Sequence, residues 1–255
     1  MPIPLTKSQV DLNYLNKITL LFGAPKSGKS TLASRLGDEE NKILFFATER
    51  GHNFLEVYKW QTNYGTDPTS WEHFKQAVVE VTKQNDFKCL AIDTVDNLFD
   101  WCRRYVNKKH NLEHESDAGF GKGYAYIKEE FSAPINYLTQ KGIGVMFISH
   151  SKTEDKELVN KKVTYTDSTL PSTAKKIIHG LCDYIFYVGV DIDGSRFLLT
   201  KGNETVNAGD RSGRLPARMK LDAEEVKKAL KGSLPEREKR EVKNYATNET
   251  KEVTL

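Results

Sequence analysis

The stretch K-I-T-L-L-F-G-A-P-K-S-G-K-S-T-L-A-S-R-L, residues 17–36, decides the fold. Its apolar run, 18–22, has the length and composition of a buried strand. The run breaks at Gly23-Ala24-Pro25-Lys26-Ser27-Gly28-Lys29-Ser30, then resumes as a helical pattern with Leu32, Ala33 and Leu36 on one face. Strand, G-x-x-x-x-G-K-S, helix is a P-loop in the context it requires. Phosphate chemistry explains the residue types. Gly23 and Gly28 remove a Cβ where the backbone must close around phosphate oxygens. Loop N–H groups and the helix N-terminus supply positive potential. Lys29 is expected to reach the β- and γ-phosphates, and the Ser30 hydroxyl to ligate Mg²⁺. ATP and Mg²⁺ are therefore the expected cofactors, with Gly23, Ala24, Pro25, Lys26, Ser27, Gly28, Lys29, Ser30 and Thr31 holding the nucleotide.

Outward from this motif, apolar runs at 42–47, 88–92 and 144–149 read as further buried strands. Helical patterns at 69–84, 95–107 and 124–140 separate them, with a kink expected at Pro134, whose ring clashes with the preceding turn. A short helix is expected at 172–181. Strands at 184–190 and 196–200 flank the turn Asp191-Ile192-Asp193-Gly194, a hairpin signal. Alternating strands and helices predict an α/β fold: a mostly parallel sheet with helices on both faces and an antiparallel C-terminal hairpin. Residues 1–16 read as a leader, 17–221 as one ATPase domain, and 222–255 as a short charged helix with a flexible tail. The polar, Lys-rich segment 151–170 reads as a long mobile loop.

Composition narrows the setting. At 255 residues the chain is long enough for one α/β domain with a buried core. No apolar run approaches a membrane span, and the N-terminus lacks a signal-peptide pattern, so a cytoplasmic protein is expected. Cys89, Cys102 and Cys182 have no zinc spacing and suit a reducing compartment. A formal charge of +3 is too small to imply nucleic acid by itself, so any basic footprint must be local. His110-Asn111-Leu112-Glu113-His114 matches H-x-x-E-H but lies in a polar insert, where a solvated loop is the better reading.

The strand ends carry the remaining chemistry. Asp93 ends the strand at 88–92, where a Walker B carboxylate holds Mg²⁺ with Ser30. Glu49 follows the strand at 42–47 and is the expected general base, with Asp96 its rival. His150 ends the fourth strand, pointing toward the γ-phosphate. Lys201, Arg211 and Arg214 could act on a neighbouring subunit's phosphates. Gly119-Phe120-Gly121-Lys122-Gly123-Tyr124 joins flexible backbone, a cation and aromatics, which suits tracking and stacking on single strands.

Taken together, G-A-P-K-S-G-K-S, A-T-E-R-G, I-D-T-V-D, D-A-G-F-G-K-G-Y, F-I-S-H and G-D-R-S-G-R-L-P resemble the phage P-loop nucleotide-binding proteins of the RecA-like, single-strand-annealing group. The resemblance runs from about residue 17 to 222 and implies a RecA-like P-loop NTPase core. It implies catalytic roles for Glu49, for His150 and, across a subunit interface, for Lys201; these join Lys29 of the P-loop and Arg211, the trans-acting candidate read from the residues, as the expected catalytic set. It places segments 108–123 and 151–170 where DNA-binding loops sit; Phe120, Lys122, Tyr124 and Lys152, in or beside them, are the expected contacts. His150 stands where RecA carries a glutamine, and RecA's extra terminal domains are missing. The resemblance implies an ATPase that binds single-stranded DNA and promotes annealing or strand exchange. It implies a ring or filament of identical subunits in the host cytoplasm, with a single-strand-binding protein as a further partner. A helicase-loader-like ATPase is the alternative, and a small-molecule kinase a weaker third.

Overall fold

A computed structural model describes residues 11, 13–52, 54–84, 86–158, 161–232, 239–244 and 249–254. The P-loop strand, β1 (Ile18–Gly23), is buried along its whole length. Parallel partners flank it on both sides: β5 (Gly144–Leu158) and β7 (Tyr184–Val190). Beyond β5 the sheet continues through β4 (Phe87–Asp93) and β2 (Lys42–Ala47) to a two-residue edge, β3 (Tyr58–Lys59). Beyond β7 come β8 (Arg196–Leu199) and β10 (Arg218–Lys220), both antiparallel to their neighbours, while β9 (Gly209–Asp210) pairs with the start of β7. The α/β class, the mostly parallel sheet and the β7–β8 hairpin are as expected.

Strands buried on both faces need a helical layer on each side. On one face, α1 (Lys29–Leu36) and α6 (Ala223–Lys231) cover Leu21, Phe45, Ile148 and Phe186. On the other, α2 (Trp71–Lys83), α3 (Val95–Lys109), α4 (Lys122–Gln140) and α5 (Ser172–Leu181) bury Leu20, Phe22, Phe46 and Phe147. Odd and even residues of one strand thus serve opposite layers, as the strand period of two requires. Helix α4 continues through Pro134. Ser70 caps α2 by accepting from the His73 N–H, and Asp222 caps α6 through the Glu224 and Glu225 N–H groups.

Three expectations need correction. Segment 151–170 is not an open loop. Strand β5 runs on past the sheet and pairs with β6 (Lys161–Ser168) as an antiparallel hairpin. The mixed charges that read as a solvated loop are complementary across the strands: Lys152 faces Asp167, Glu157 faces Lys162, and Lys162 lies 3.1 Å from Asp155. The described part of the leader is also built in. Tyr14–Asn16 form a 3₁₀ turn, with Leu15 buried and the Tyr14 hydroxyl donating to the Leu36 carbonyl at 2.8 Å. The rest of the leader lies outside the described residues, apart from Asp11 and Asn13. Finally, the segment expected to be a flexible tail contains β11 (Lys239–Asn244) and β12 (Glu249–Thr254), which pair with each other.

Candidate functional site

Parallel topology brings the carboxyl ends of β1, β2 and β4, and the point where β5 leaves the sheet, to one edge, so Gly23, the residues just after β2 and β4, and His150 converge. Gly23 ends β1 because of its neighbour: a Cβ there would meet the Val188 carbonyl oxygen of β7 at 2.3 Å. Gly28 holds φ at 107°, a left-handed value suited to glycine, and opens α1. The Lys29 ammonium is folded back on the loop, donating to the Gly23 and Ala24 carbonyls at 3.0 and 2.8 Å. Burial lowers the pKa of Lys29, opposed by the charges of Asp93, Glu49 and Asp96. The Ser27 hydroxyl is buried in the loop without a hydrogen-bond partner. A buried ammonium satisfied only by its own loop, beside an orphan hydroxyl, fits a phosphate-binding cradle.

The Ser30 hydroxyl donates to Asp93 Oδ2 at 2.5 Å. Two hard oxygen ligands side by side at the loop fit Mg²⁺. His52, which the sequence reading passed over, is buried with Nε2 3.1 Å from the same Asp93 oxygen and its ring edge-on to Phe45. Its only sequence signal is proximity to Glu49.

Glu49 is held in place. Its Oε1 accepts from the Thr94 hydroxyl at 2.7 Å and from Asn97 Nδ2 at 3.2 Å. Thr94 is itself tied to Thr48: its N–H donates to the Thr48 hydroxyl, which donates to the Thr94 carbonyl. His150 Nε2 lies 3.5 Å from Glu49 Oε2. Lys29, Ser30, Asp93, Glu49 and His150 are therefore brought to one place. Asp96 is engaged elsewhere, accepting from the Thr169 hydroxyl at 2.6 Å.

Other candidates stand apart. Arg211 pairs with Asp183 at 2.8 Å, at the amino end of β7 and so opposite the P-loop. Strand β8 runs away from the P-loop end and carries Lys201, which is exposed, with it. Arg214 donates to the Leu230 and Gly232 carbonyls after α6. None of the three reaches the nucleotide end of its own chain. In the polar insert, His110 stacks on Tyr126 and His114 caps the 3₁₀ turn Glu115–Ala118. Among the described residues no group of His, Cys, Asp or Glu could hold a metal on its own.

Phe120 is fully exposed and has φ of 47°, between Gly119 and Gly121, which are also left-handed. Lys122 opens α4, and Tyr124 is partly exposed on its first turn. Beside Tyr124, a groove of about 490 Å³ runs between α4 and α5 past Lys128, Thr173 and Lys176. Lys152, exposed on the hairpin, is ion-paired with Glu154.

No curated protein matches the chain. Among solved structures it is similar to the KaiC-like protein PH0186 from the hyperthermophilic archaeon Pyrococcus horikoshii OT3. That likeness has 14% identity and a TM-score of 0.44, over 74% of this chain and 81% of that one. Residues 15–212, which span β1 to β9, match the AAA domain family. The chain belongs to that family, and is a P-loop ATPase of α/β fold.

Proposed function

We propose that this ATPase binds single-stranded DNA and promotes annealing or strand exchange, with ATP controlling its grip. Phe120 carries the reading. A bulky residue held at positive φ and fully exposed costs free energy in the isolated chain, and such outliers gather at ligand contacts. Lys122, which opens α4, and Lys128 and Lys176, which line the groove beside Tyr124, have no ion pair among the described residues. Cations beside aromatic faces suit backbone tracking with base stacking.

The catalytic end supports hydrolysis. Ser30 and Asp93 would hold Mg²⁺, which supplies charge neutralisation to the phosphates when bound. Lys29 offsets phosphate charge. Glu49, fixed by Thr94 and Asn97, takes the proton of the attacking water. His150 touches Glu49 and begins the hairpin, so a change at one alters the support of the other. The test is the ATPase rate with and without a single-stranded oligonucleotide. Stimulation that disappears in Phe120→Ala with Tyr124→Ala is expected. A rate indifferent to DNA, with no oligonucleotide binding at low salt, would favour a loader of another replication protein.

A further inference from the structure

We propose that Arg196 and Leu221 form the nucleoside end of the nucleotide site and grip the base. The inference rests on the P-loop binding a nucleoside triphosphate. Its starting point is strand order. Asp93, Glu49 and His150, which mark the γ-phosphate end, all lie on the β5–β4–β2 side of β1. A triphosphate laid along the P-loop with its γ end there must leave on the other side, toward β7, β8 and β10.

That side is already shaped. A Cβ added to Gly28 would meet Leu221 Cδ2 at 2.9 Å and Arg196 Nη1 at 3.4 Å, so both side chains rest against the loop. The Leu221 N–H donates to the Arg196 carbonyl at 3.1 Å, which fixes the two residues relative to each other. With Thr31 and Arg35 of α1 they wall a cavity of about 90 Å³ beside the P-loop turn. It borders an open groove of about 750 Å³ that shares Arg196 and Leu221 as walls. Helix α6 packs beside α1 and holds this corner closed from below.

The chemistry matches a base better than a phosphate. Arg196 has no ion-pair partner among the described residues, and its planar guanidinium is free to stack. Leu221 offers an apolar surface at the same corner. A flat heterocycle held against a guanidinium face and an aliphatic wall needs no base-edge hydrogen bonds. Arg196 arrives from an antiparallel strand late in the chain, which is why no motif announces it.

The test is calorimetric titration of Mg²⁺-ATP and of Mg²⁺-tripolyphosphate into wild type, Arg196→Ala, Arg196→Lys and Leu221→Ala. Arg196→Ala and Leu221→Ala should each weaken ATP about tenfold and leave tripolyphosphate unchanged. Arg196→Lys, which keeps the charge but loses the planar face, should also weaken ATP. Retained tripolyphosphate binding shows that the P-loop is still folded in each variant. Unchanged ATP affinity in Arg196→Ala overturns the inference. So does an equal loss of both ligands that Arg196→Lys restores, because Arg196 would then be a phosphate contact. Wild type that binds neither ligand overturns the nucleotide reading itself, and this inference with it.

Discussion

At the scale of the residue, two carboxylates compete for the role of general base, and their partners separate them. Glu49 is oriented by a hydroxyl and an amide, beside His150 and near Lys29. Asp96 instead accepts from Thr169, at the foot of the β6 strand. Glu49→Gln keeps the shape and loses the proton acceptor, so ATP binding should survive while hydrolysis falls about 10²- to 10⁴-fold. Asp96→Asn should leave the chemical step far less affected. Single-turnover hydrolysis of both variants decides, and the reverse ranking would move the base to Asp96. Lys29→Ala should abolish nucleotide binding, because a buried cation beside the phosphates is replaced by a methyl group. Equilibrium binding of an ATP analogue reads that directly.

At the scale of the element, Glu130 on α4 ties three helices together. Its Oε1 accepts from the Trp71 indole at 2.9 Å and Lys75 at 3.2 Å, both on α2, and its Oε2 from Lys109 of α3 at 3.3 Å. Burial pushes the carboxyl up, but the indole and the two ammonium groups outweigh it and hold it below the usual glutamate value of 4.5. A depressed folded pKa means stability that is present above the unfolded value and lost as pH falls through the folded one. Glu130→Gln should therefore destabilise the protein by about 1–3 kcal/mol at neutral pH. The gap to wild type should close as pH drops below 4.5. Chemical denaturation at pH 7 and pH 3.5 measures both; a gap that persists in acid removes the charged hydrogen bonds as its cause.

At the scale of the whole molecule, Lys201 and Arg211 stay clear of their own P-loop, so any contribution they make to catalysis must come from a neighbouring copy. Turnover per subunit should then rise with protein concentration and fall in Arg211→Ala. A rate independent of concentration, from a protein shown to be monomeric, would sink the trans role. If Arg211 serves only its bond to Asp183, the variant should lose stability and keep its rate.

The sequence by itself determined the P-loop, the parallel strands and the identity of Asp93, Glu49 and His150. Those features rest on local patterns: an apolar run, a glycine turn and a carboxylate at a strand end. Their meeting point follows from parallel topology, because every such strand delivers its carboxyl end to the same edge. Tertiary structure alone decided the rest. The hairpin of β5 and β6 was hidden because its strand pairing, and ion pairs such as Lys162 with Asp155, join residues that meet only when the segment folds back on itself. His52 and Arg196 gained their places through contacts distant in sequence, with Asp93 and Gly28, for which no local spacing exists. Lys152 gained a partner in Glu154 only once both stood on one face of an extended strand, two residues apart.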